Sequence, residues 1–141
     1  MSAPAAAIFH LSFHVHDLTA SRQFYGALLG CREGRSADTW VDFDFFGHQL
    51  SLHQGTPQPP TPTGEVDGVA VPMPHFGAVL NHAQWQQAAD KLTTAKASFI
   101  LKPQMRYAGA TGEQYTLFVL DPSGYAIELK SMTDAGALFK K

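Results

Sequence analysis

Near the N-terminus, apolar and polar residues alternate with a period of two. The apolar positions are Leu11, Phe13 and Val15, and the polar positions around them are His10, Ser12, His14 and His16. Successive side chains of a strand point to opposite faces of a sheet. The segment therefore predicts a β-strand with one apolar face and one histidine-rich face.

The pattern then changes to that of a helix. Asp17 is a candidate N-cap for a helix over Leu18–Leu29, whose apolar stripe is Ala20, Phe24 and Leu28. Gly30 predicts the end of this helix, because glycine readily adopts the left-handed conformation found after many helices. Two or three strands are expected next, and two of them are Trp40–Phe46 and His48–His53, with a turn at Gly47.

The second half of the chain repeats this order of elements. A short strand is predicted within Pro74–Asn81, and a helix over His82–Lys96 has the apolar stripe Trp85, Ala88, Ala89 and Leu92. The strands expected after it are Ser98–Lys102, Gln114–Leu120 and Tyr125–Lys130. Each half is thus predicted to be a βαβββ module, and the repeat indicates an α+β fold.

Between the halves, Gly55–Gly64 contains four prolines and no large apolar side chain. This composition predicts an exposed connection that is partly polyproline-like. The predicted organisation is a single domain, with module one over residues 8–54, a proline-rich linker over 55–70, module two over 71–131 and a C-terminal tail over 132–141. The segment Pro103–Glu113, which contains two glycines, is also predicted to be a loop.

The internal repeat brings four positions into correspondence. Aligning the last strands of the halves on their glycines makes Ser51 equivalent to Glu128, and His10 and His75 occupy the same place in their halves. Two imidazoles and one carboxylate form a ligand set that leaves one side of a divalent metal open to substrate. The sequence therefore predicts a metal site formed by His10, His75 and Glu128.

Composition limits the kinds of molecule that the protein is expected to bind and the compartment in which it is expected to lie. The net charge of −2 gives no bulk field that would favour nucleic acid or an anionic membrane. No apolar run approaches the ~20 residues of a membrane-spanning helix, and Met1–Ala7 lacks the basic residues and long apolar stretch of a signal peptide. The one cysteine, Cys31, is expected to be a small buried residue, which fits a cytoplasmic protein.

Three motifs together resemble the vicinal oxygen chelate superfamily. They are His10-(x6)-Asp17-Leu18, Phe24-Tyr25-Gly26-(x3)-Gly30 and Asp121-Pro122-Ser123-Gly124-Tyr125-Ala126-Ile127-Glu128-Leu129. The superfamily includes glyoxalase I, extradiol dioxygenases, fosfomycin-resistance proteins, methylmalonyl-CoA epimerases and bleomycin-binding proteins. Two further runs, Asp38–Leu50 and Pro74–Gly77, resemble its small members that are predicted to be extradiol-type dioxygenases.

The resemblance implies a curled mixed sheet around a metal cleft, with ligands from the first and last strands of each module. His10, His75 and Glu128 match those places, and Ser51 stands where glyoxalase I has a glutamate, which argues against glyoxalase activity. Fe(II) is favoured because its oxygenases need open coordination positions. Fosfomycin-resistance proteins use two histidines and a glutamate with Mn(II), so Mn(II), Ni(II) and Zn(II) are also compatible.

An extradiol-type reaction implies an acid–base group beside the substrate. The candidates are His53, His14 and Tyr115, since His14 shares a strand face with His10 and His53 shares one with Ser51. Candidate substrate contacts are Arg106, Tyr107, Ser51 and Ser12. Arginine suits a substrate carboxylate, and Ser12 stands where fosfomycin-resistance proteins contact an anionic substrate.

Three functions follow from these observations. The first is a metal-dependent extradiol-type dioxygenase that acts on a small catechol-like substrate with O₂. The second is a Mn(II)-, Ni(II)- or Zn(II)-dependent thiol transferase or lyase/isomerase, and the third is a non-catalytic drug-binding protein. A homodimer without nucleic-acid or membrane partners is expected, because exposed aromatics such as Trp40 and Phe46 favour burial against a second copy. The cleft could form within one chain or across the dimer.

Overall fold

The computed structural model describes residues 6–66 and 68–141. Residues 1–5, most of the segment considered above as a signal peptide, and Asp67 of the predicted linker lie outside the described part. The chain divides into two compact units, Met1–Pro57 and Gln58–Lys141. No helix in the described part is long and apolar enough to cross a membrane.

The first unit is a four-stranded sheet with a helical segment after its first strand. Its elements are β1 (His10–Val15), α1 (Leu18–Ser21), a π-helical continuation of α1 (Arg22–Leu28), β2 (Arg32–Ala37), β3 (Trp40–Phe45) and β4 (His48–Gln54). The strand order is β1-β4-β3-β2, in which β1 is parallel to β4 and the other pairs are antiparallel. The first predicted βαβββ module is confirmed.

Local sequence sets the ends of the first helical segment. The Asp17 side chain accepts hydrogen bonds from the backbone N–H groups of Thr19 and Ala20 at 2.8 and 3.2 Å, which is the N-cap arrangement. Gly30 follows the segment with φ +75°, the left-handed conformation that glycine adopts without strain. The apolar face packs on the sheet through Tyr25, whose ring lies 5.9 Å from that of Phe43.

The second unit repeats this arrangement after an additional hairpin. Its elements are β5 (Thr61–Val66), β6 (Val69–Met73), β7 (Phe76–Val79), α2 (His82–Thr94), β8 (Phe99–Arg106), β9 (Gln114–Leu120), β10 (Ala126–Met132) and a C-terminal 3₁₀ helix (Ala135–Phe139). The main sheet has the order β7-β10-β9-β8, which matches the order in the first unit. The second βαβββ module is therefore also confirmed.

Helix α2 is anchored both at its start and along its buried face. Asn81 and Gln84 form a capping box, in which each side chain accepts a hydrogen bond from the other residue's backbone. The predicted apolar stripe is buried. Its Trp85 Nε1 donates a hydrogen bond of 2.9 Å to the carbonyl of Leu129, which ties the helix to β10.

Three sequence predictions were wrong. The predicted linker 55–70 contains β5 and the start of β6, because Val71 of this hairpin packs with Leu101 and Phe118. The predicted loop from Pro103 is strand β8 as far as Arg106, and a register shift between Leu101 and Gln104 accommodates the proline. The supposedly exposed Trp40 and Phe46 are half-buried.

Candidate metal and substrate site

Strand register makes the two units equivalent residue by residue. In the first unit Ser12 pairs with Ser51 across the parallel strands β1 and β4. In the second unit Gly77 pairs with Glu128 across β7 and β10. His10 and His75 each lie two residues before these pairs, so the alignment drawn from the glycines agrees with the pairing of the strands.

His75 and Glu128 lie on the same side of the second sheet. The His75 Nδ1 atom is 2.9 Å from the Pro72 carbonyl oxygen. Because that oxygen can only accept, we assign the proton of the neutral ring to Nδ1 and a lone pair to Nε2. Nε2 is 3.9 Å from Glu128 Oε1, beyond hydrogen-bonding distance.

The Glu128 carboxylate has one oxygen held and the other directed toward His75. Thr116, which is fully buried, donates a hydrogen bond of 2.9 Å from Oγ1 to Glu128 Oε2. Oε1 faces His75 Nε2 at 3.9 Å and Lys130 Nζ at 3.8 Å. Neither Thr116 nor Lys130 was among the predicted site residues. Lys130 alternates with buried neighbours in β10 as Glu128 does, and Thr116 pairs with Lys130 across β9 and β10.

This arrangement fits a divalent cation. An imidazole lone pair and a carboxylate oxygen face each other, and two ligands of one cation with bonds of about 2.1 Å lie about 3 to 4 Å apart. Hydrogen bonds from outside the pair hold both side chains, as is usual for metal ligands. The two residues line a cavity of about 260 Å³ together with Phe76, Gly77, Ala78, Val79 and Lys130.

Gly77 permits the close approach of β7 and β10 at this point. A Cβ atom at position 77 would overlap the carbonyl of Glu128. The position of the Glu128 backbone therefore requires glycine at position 77, the residue that pairs with it on β7.

Ser51, the fourth position of the internal repeat, is hydrogen-bonded within the first unit. Its hydroxyl donates a hydrogen bond of 2.5 Å to Asp42 Oδ1, and Gln49 donates one of 3.2 Å to Asp42 Oδ2. Asp42 is only 8% exposed. Asp42 could have been found from the alternation of apolar and polar residues in β3, which puts its side chain on the polar face. The pairing of β3 with β4 then places it opposite Ser51.

The remaining predicted residues of the first unit share one face of its sheet. His10, Ser12, His14 and His53 are all exposed, and His14 pairs with His53 across β1 and β4. The His53 ring stacks on Trp40 at 6.2 Å with an interplanar angle of 27°. The His14 ring lies directly against Gly55.

Three further predicted residues belong to the second unit. Tyr115 pairs with Ser131 and therefore points to the face opposite Glu128, where its ring is 4.6 Å from that of His82. Arg106 is not in a loop, because it ends β8 and is 6% exposed. Tyr107 is 39% exposed, and its ring centroid lies 5.1 Å from the Arg106 guanidinium.

His10 belongs to the first unit, whereas His75 and Glu128 belong to the second. Over residues 6–66 and 68–141, no group of three or more His, Cys, Asp and Glu side chains is arranged to hold a metal ion. Of the three predicted ligands, His75 and Glu128 face each other within the second unit.

Comparison with known proteins identifies the family. A model described as the glyoxalase/bleomycin resistance protein/dioxygenase superfamily matches residues 7–129. The chain belongs to this superfamily. No curated protein matches the sequence significantly.

Several solved structures share the superfamily fold with this chain. A glyoxalase/bleomycin resistance protein/dioxygenase from Alicyclobacillus acidocaldarius is 25% identical, with a TM-score of 0.75 over 94% of this chain and 96% of that one. The fosfomycin resistance protein FosX from Listeria monocytogenes is 15% identical, with a TM-score of 0.70 over 96% and 100%. A lactoylglutathione lyase from Agrobacterium tumefaciens is 18% identical, with a TM-score of 0.64 over 99% and 100%. At 15% and 18% identity, the last two likenesses concern the fold alone.

Proposed function

We propose that this superfamily member is a metal-dependent enzyme that acts on a small substrate with two adjacent oxygens, by extradiol-type cleavage of a catechol-like ring. The proposed ligands are His10, His75 and Glu128. One observation carries the proposal: His75 Nε2 and Glu128 Oε1 face each other at 3.9 Å, while hydrogen bonds hold Nδ1 and Oε2 on their far sides. His10 is included because it stands in the first unit where His75 stands in the second.

The state of Ser51 supports a three-ligand set. Its hydroxyl donates its hydrogen to the buried Asp42 carboxylate, so a neutral hydroxyl occupies the place that would hold a fourth ligand. Two histidines and one carboxylate leave coordination positions for substrate and O₂, as in non-haem Fe(II) oxygenases. When bound, the metal would supply Lewis acidity toward the two substrate oxygens and, as Fe(II), the redox capacity that a reaction with O₂ requires.

The protein's own groups would manage the proton of the substrate. We propose His53 as the acid–base group, with His14 as its neighbour, because an imidazole nitrogen can accept a proton and return it. Stacking on Trp40 supports the His53 ring in one orientation. Tyr115 is not retained in this role, because it packs against His82 and Trp85 on the other face of its sheet.

The test is oxygen uptake by protein purified without oxygen and loaded with Fe(II), using a panel of catechols. We expect iron-dependent uptake, and a fall of at least about 100-fold in the His75→Ala variant because a metal ligand is lost. His16→Ala is the matched control, since His16 lies outside the proposed ligand set. Absence of uptake with every diol at full iron loading would refute the dioxygenase assignment, and turnover with Mn(II), Ni(II) or Zn(II) in the absence of O₂ would favour the transferase or lyase alternative.

The predicted homodimer remains part of this proposal. β1 is at one edge of the first sheet, and the residues before it include Ile8 and Phe9, which are 70% and 64% exposed. An edge strand flanked by exposed apolar residues favours pairing with another chain. Light scattering of the purified protein should give twice the mass of the chain.

A further inference from the structure

Lys130 shares the cavity of the proposed metal ligands. It follows Glu128 by two residues in β10, so both side chains lie on the same face of the sheet. Its side chain is 29% exposed, and Nζ is 3.8 Å from Glu128 Oε1. Lys130 is the one lysine or arginine among the described residues that line this cavity.

The geometry points to Lys130 as a specificity-determining residue that binds a carboxylate of the substrate, at a distance from the two oxygens that approach the metal. This inference rests on the proposed function and narrows it. The expected substrate class is a vicinal-diol or enediol compound that also carries an acidic group.

The two oxygen atoms of Glu128 differ in their contacts. Oε2 of Glu128 accepts the hydrogen bond of Thr116, whereas Oε1 faces His75 Nε2 and is the oxygen placed for a metal that both residues would share. Oε1 is also the atom that faces the Lys130 ammonium. A dication bound to Oε1 would repel the Lys130 ammonium, because both are positively charged. It would also neutralise the Glu128 carboxylate that the ammonium faces.

A bound metal would change the net charge of the cavity. The charges of Glu128 and Lys130 cancel each other, and a histidine binds a metal as the neutral imidazole. A divalent metal then leaves the cavity with a charge of about +2, since its own charge is all that remains. A neutral diol that loses one proton compensates only half of this charge, whereas a deprotonated diol with a carboxylate compensates all of it.

The cavity also has an apolar wall beside Lys130. The Cα atoms of Glu128 and Lys130 are about 7 Å apart along the strand, so the Lys130 ammonium can extend away from Oε1 when a dication binds there. Val79, which pairs with Lys130 across β7 and β10, is 44% exposed and offers an apolar contact. A six-membered ring with its oxygens at one end and a carboxylate at the other matches this order of metal, apolar wall and ammonium.

The experiment compares catechol with 3,4-dihydroxybenzoate as ligands of the Zn(II)-loaded full-length protein, by titration calorimetry. Zn(II) is not redox-active, so binding is measured without turnover. We expect the wild type to bind the acid at least about 10-fold more tightly than catechol, an advantage of the size found for one charge-assisted contact. In Lys130→Met this ratio should fall to near one, and in Lys130→Arg most of it should remain.

Lys102→Met is the matched control. Lys102 is exposed on β8 and does not line the cavity, so its loss should leave the ratio unchanged. Comparing ratios between variants cancels the different intrinsic acidity of the two ligands. If Lys130 formed only a structural ion pair with Glu128, Lys130→Met would change the affinity for both ligands by the same factor.

Metal binding separates the two proposals. If Zn(II) binds the wild type and is lost in His75→Ala, the metal site stands, and an acid preference that is absent or that survives Lys130→Met overturns the inference about Lys130 alone. If the wild type shows no His75-dependent binding of metal, the proposed function and this inference both fail. We further expect Lys130→Met to bind Zn(II) about 3- to 10-fold more tightly, because a competing cation is removed.

Discussion

Gly77 occupies a position where no side chain would fit. In a strand a glycine ordinarily weakens the sheet, and it is retained where another backbone approaches closely. Here the neighbour is Glu128, one of the proposed ligands. The small residue thus sets how near β7 comes to the strand that carries the carboxylate.

We therefore predict that Gly77→Ala destabilises the protein by about 3 kcal/mol, because the overlap with the Glu128 carbonyl forces the strands apart. The free energy of unfolding is measured by chemical denaturation. Gly112→Ala serves as the control, since the nearest atom to a Cβ there is 4.0 Å away, and it should change the stability by no more than about 0.5 kcal/mol. Equal effects of the two substitutions would contradict the prediction.

Cys31 is a second residue whose surroundings decide its chemistry. The thiol is buried, as predicted from sequence. Burial raises its pKa to about 12, the Asp44 carboxylate adds to this rise, and a backbone hydrogen bond with Phe46 opposes it. A thiol with a raised pKa stays protonated at neutral pH and is a poor nucleophile.

We predict that iodoacetamide at pH 8 alkylates Cys31 in the native protein about 1000-fold more slowly than in urea. A rise of about three units in pKa lowers the thiolate fraction by about that factor, and restricted access slows the reaction further. Mass spectrometry over time gives both rates. Comparable rates in the two states would show that the thiol is accessible and ionised when folded.

At the scale of elements, the hairpin β5–β6 has a role that its sequence conceals. The proline-rich segment that leads into its first strand resembles a linker. The second strand nevertheless contributes the buried Val71 and the Pro72 carbonyl that accepts from His75. Val71 packs on Phe118, whose ring meets that of His75 edge-on at 4.9 Å. The hairpin therefore orients one of the proposed ligands.

Helix α2 offers a direct measure of local sequence effects. Its capping box satisfies backbone N–H groups that would otherwise lack partners. We predict that Asn81→Ala lowers the free energy of unfolding by about 1 kcal/mol. Gln87→Ala, at an exposed position in the middle of the same helix, should not destabilise the protein, because alanine is a better helix former. Thermal unfolding of both variants is the measurement.

At the scale of the whole molecule, the proposed ligand set draws on both units, since His10 is in one and His75 and Glu128 are in the other. A metal that needs residues from both units binds only the folded protein. It should stabilise that state by an amount that grows with the logarithm of the ratio of metal concentration to dissociation constant.

We predict that Zn(II) at 100 times its dissociation constant raises the free energy of unfolding by about 2.7 kcal/mol. His10→Ala and His75→Ala should each remove most of this effect, and His16→Ala should retain it. Thermal unfolding with and without Zn(II) gives the result. Full stabilisation of the His10→Ala variant would exclude His10 from the ligand set.

Much of the fold could be predicted from the amino-acid sequence alone. Period-two alternation located β1, β3 and β4, and the helical stripe and caps located α2, because these patterns arise from neighbours in sequence. The repeat of the two halves followed from comparing such patterns. Strand β2 was left without bounds and the hairpin was missed, since β2 is exposed throughout and the hairpin is stabilised by packing on β8 and β9.

The sequence by itself determined the two βαβββ modules, the pairing of His10 with His75 and of Ser51 with Glu128 as equivalent positions, and the family. Only the tertiary structure decided which atoms of these residues are available. Thr116 holds one oxygen of Glu128 across 12 residues, and Asp42 accepts from Ser51 across nine. Such contacts exist only after strands pair in a given register, and no periodicity along the chain encodes the direction in which a carboxylate oxygen points.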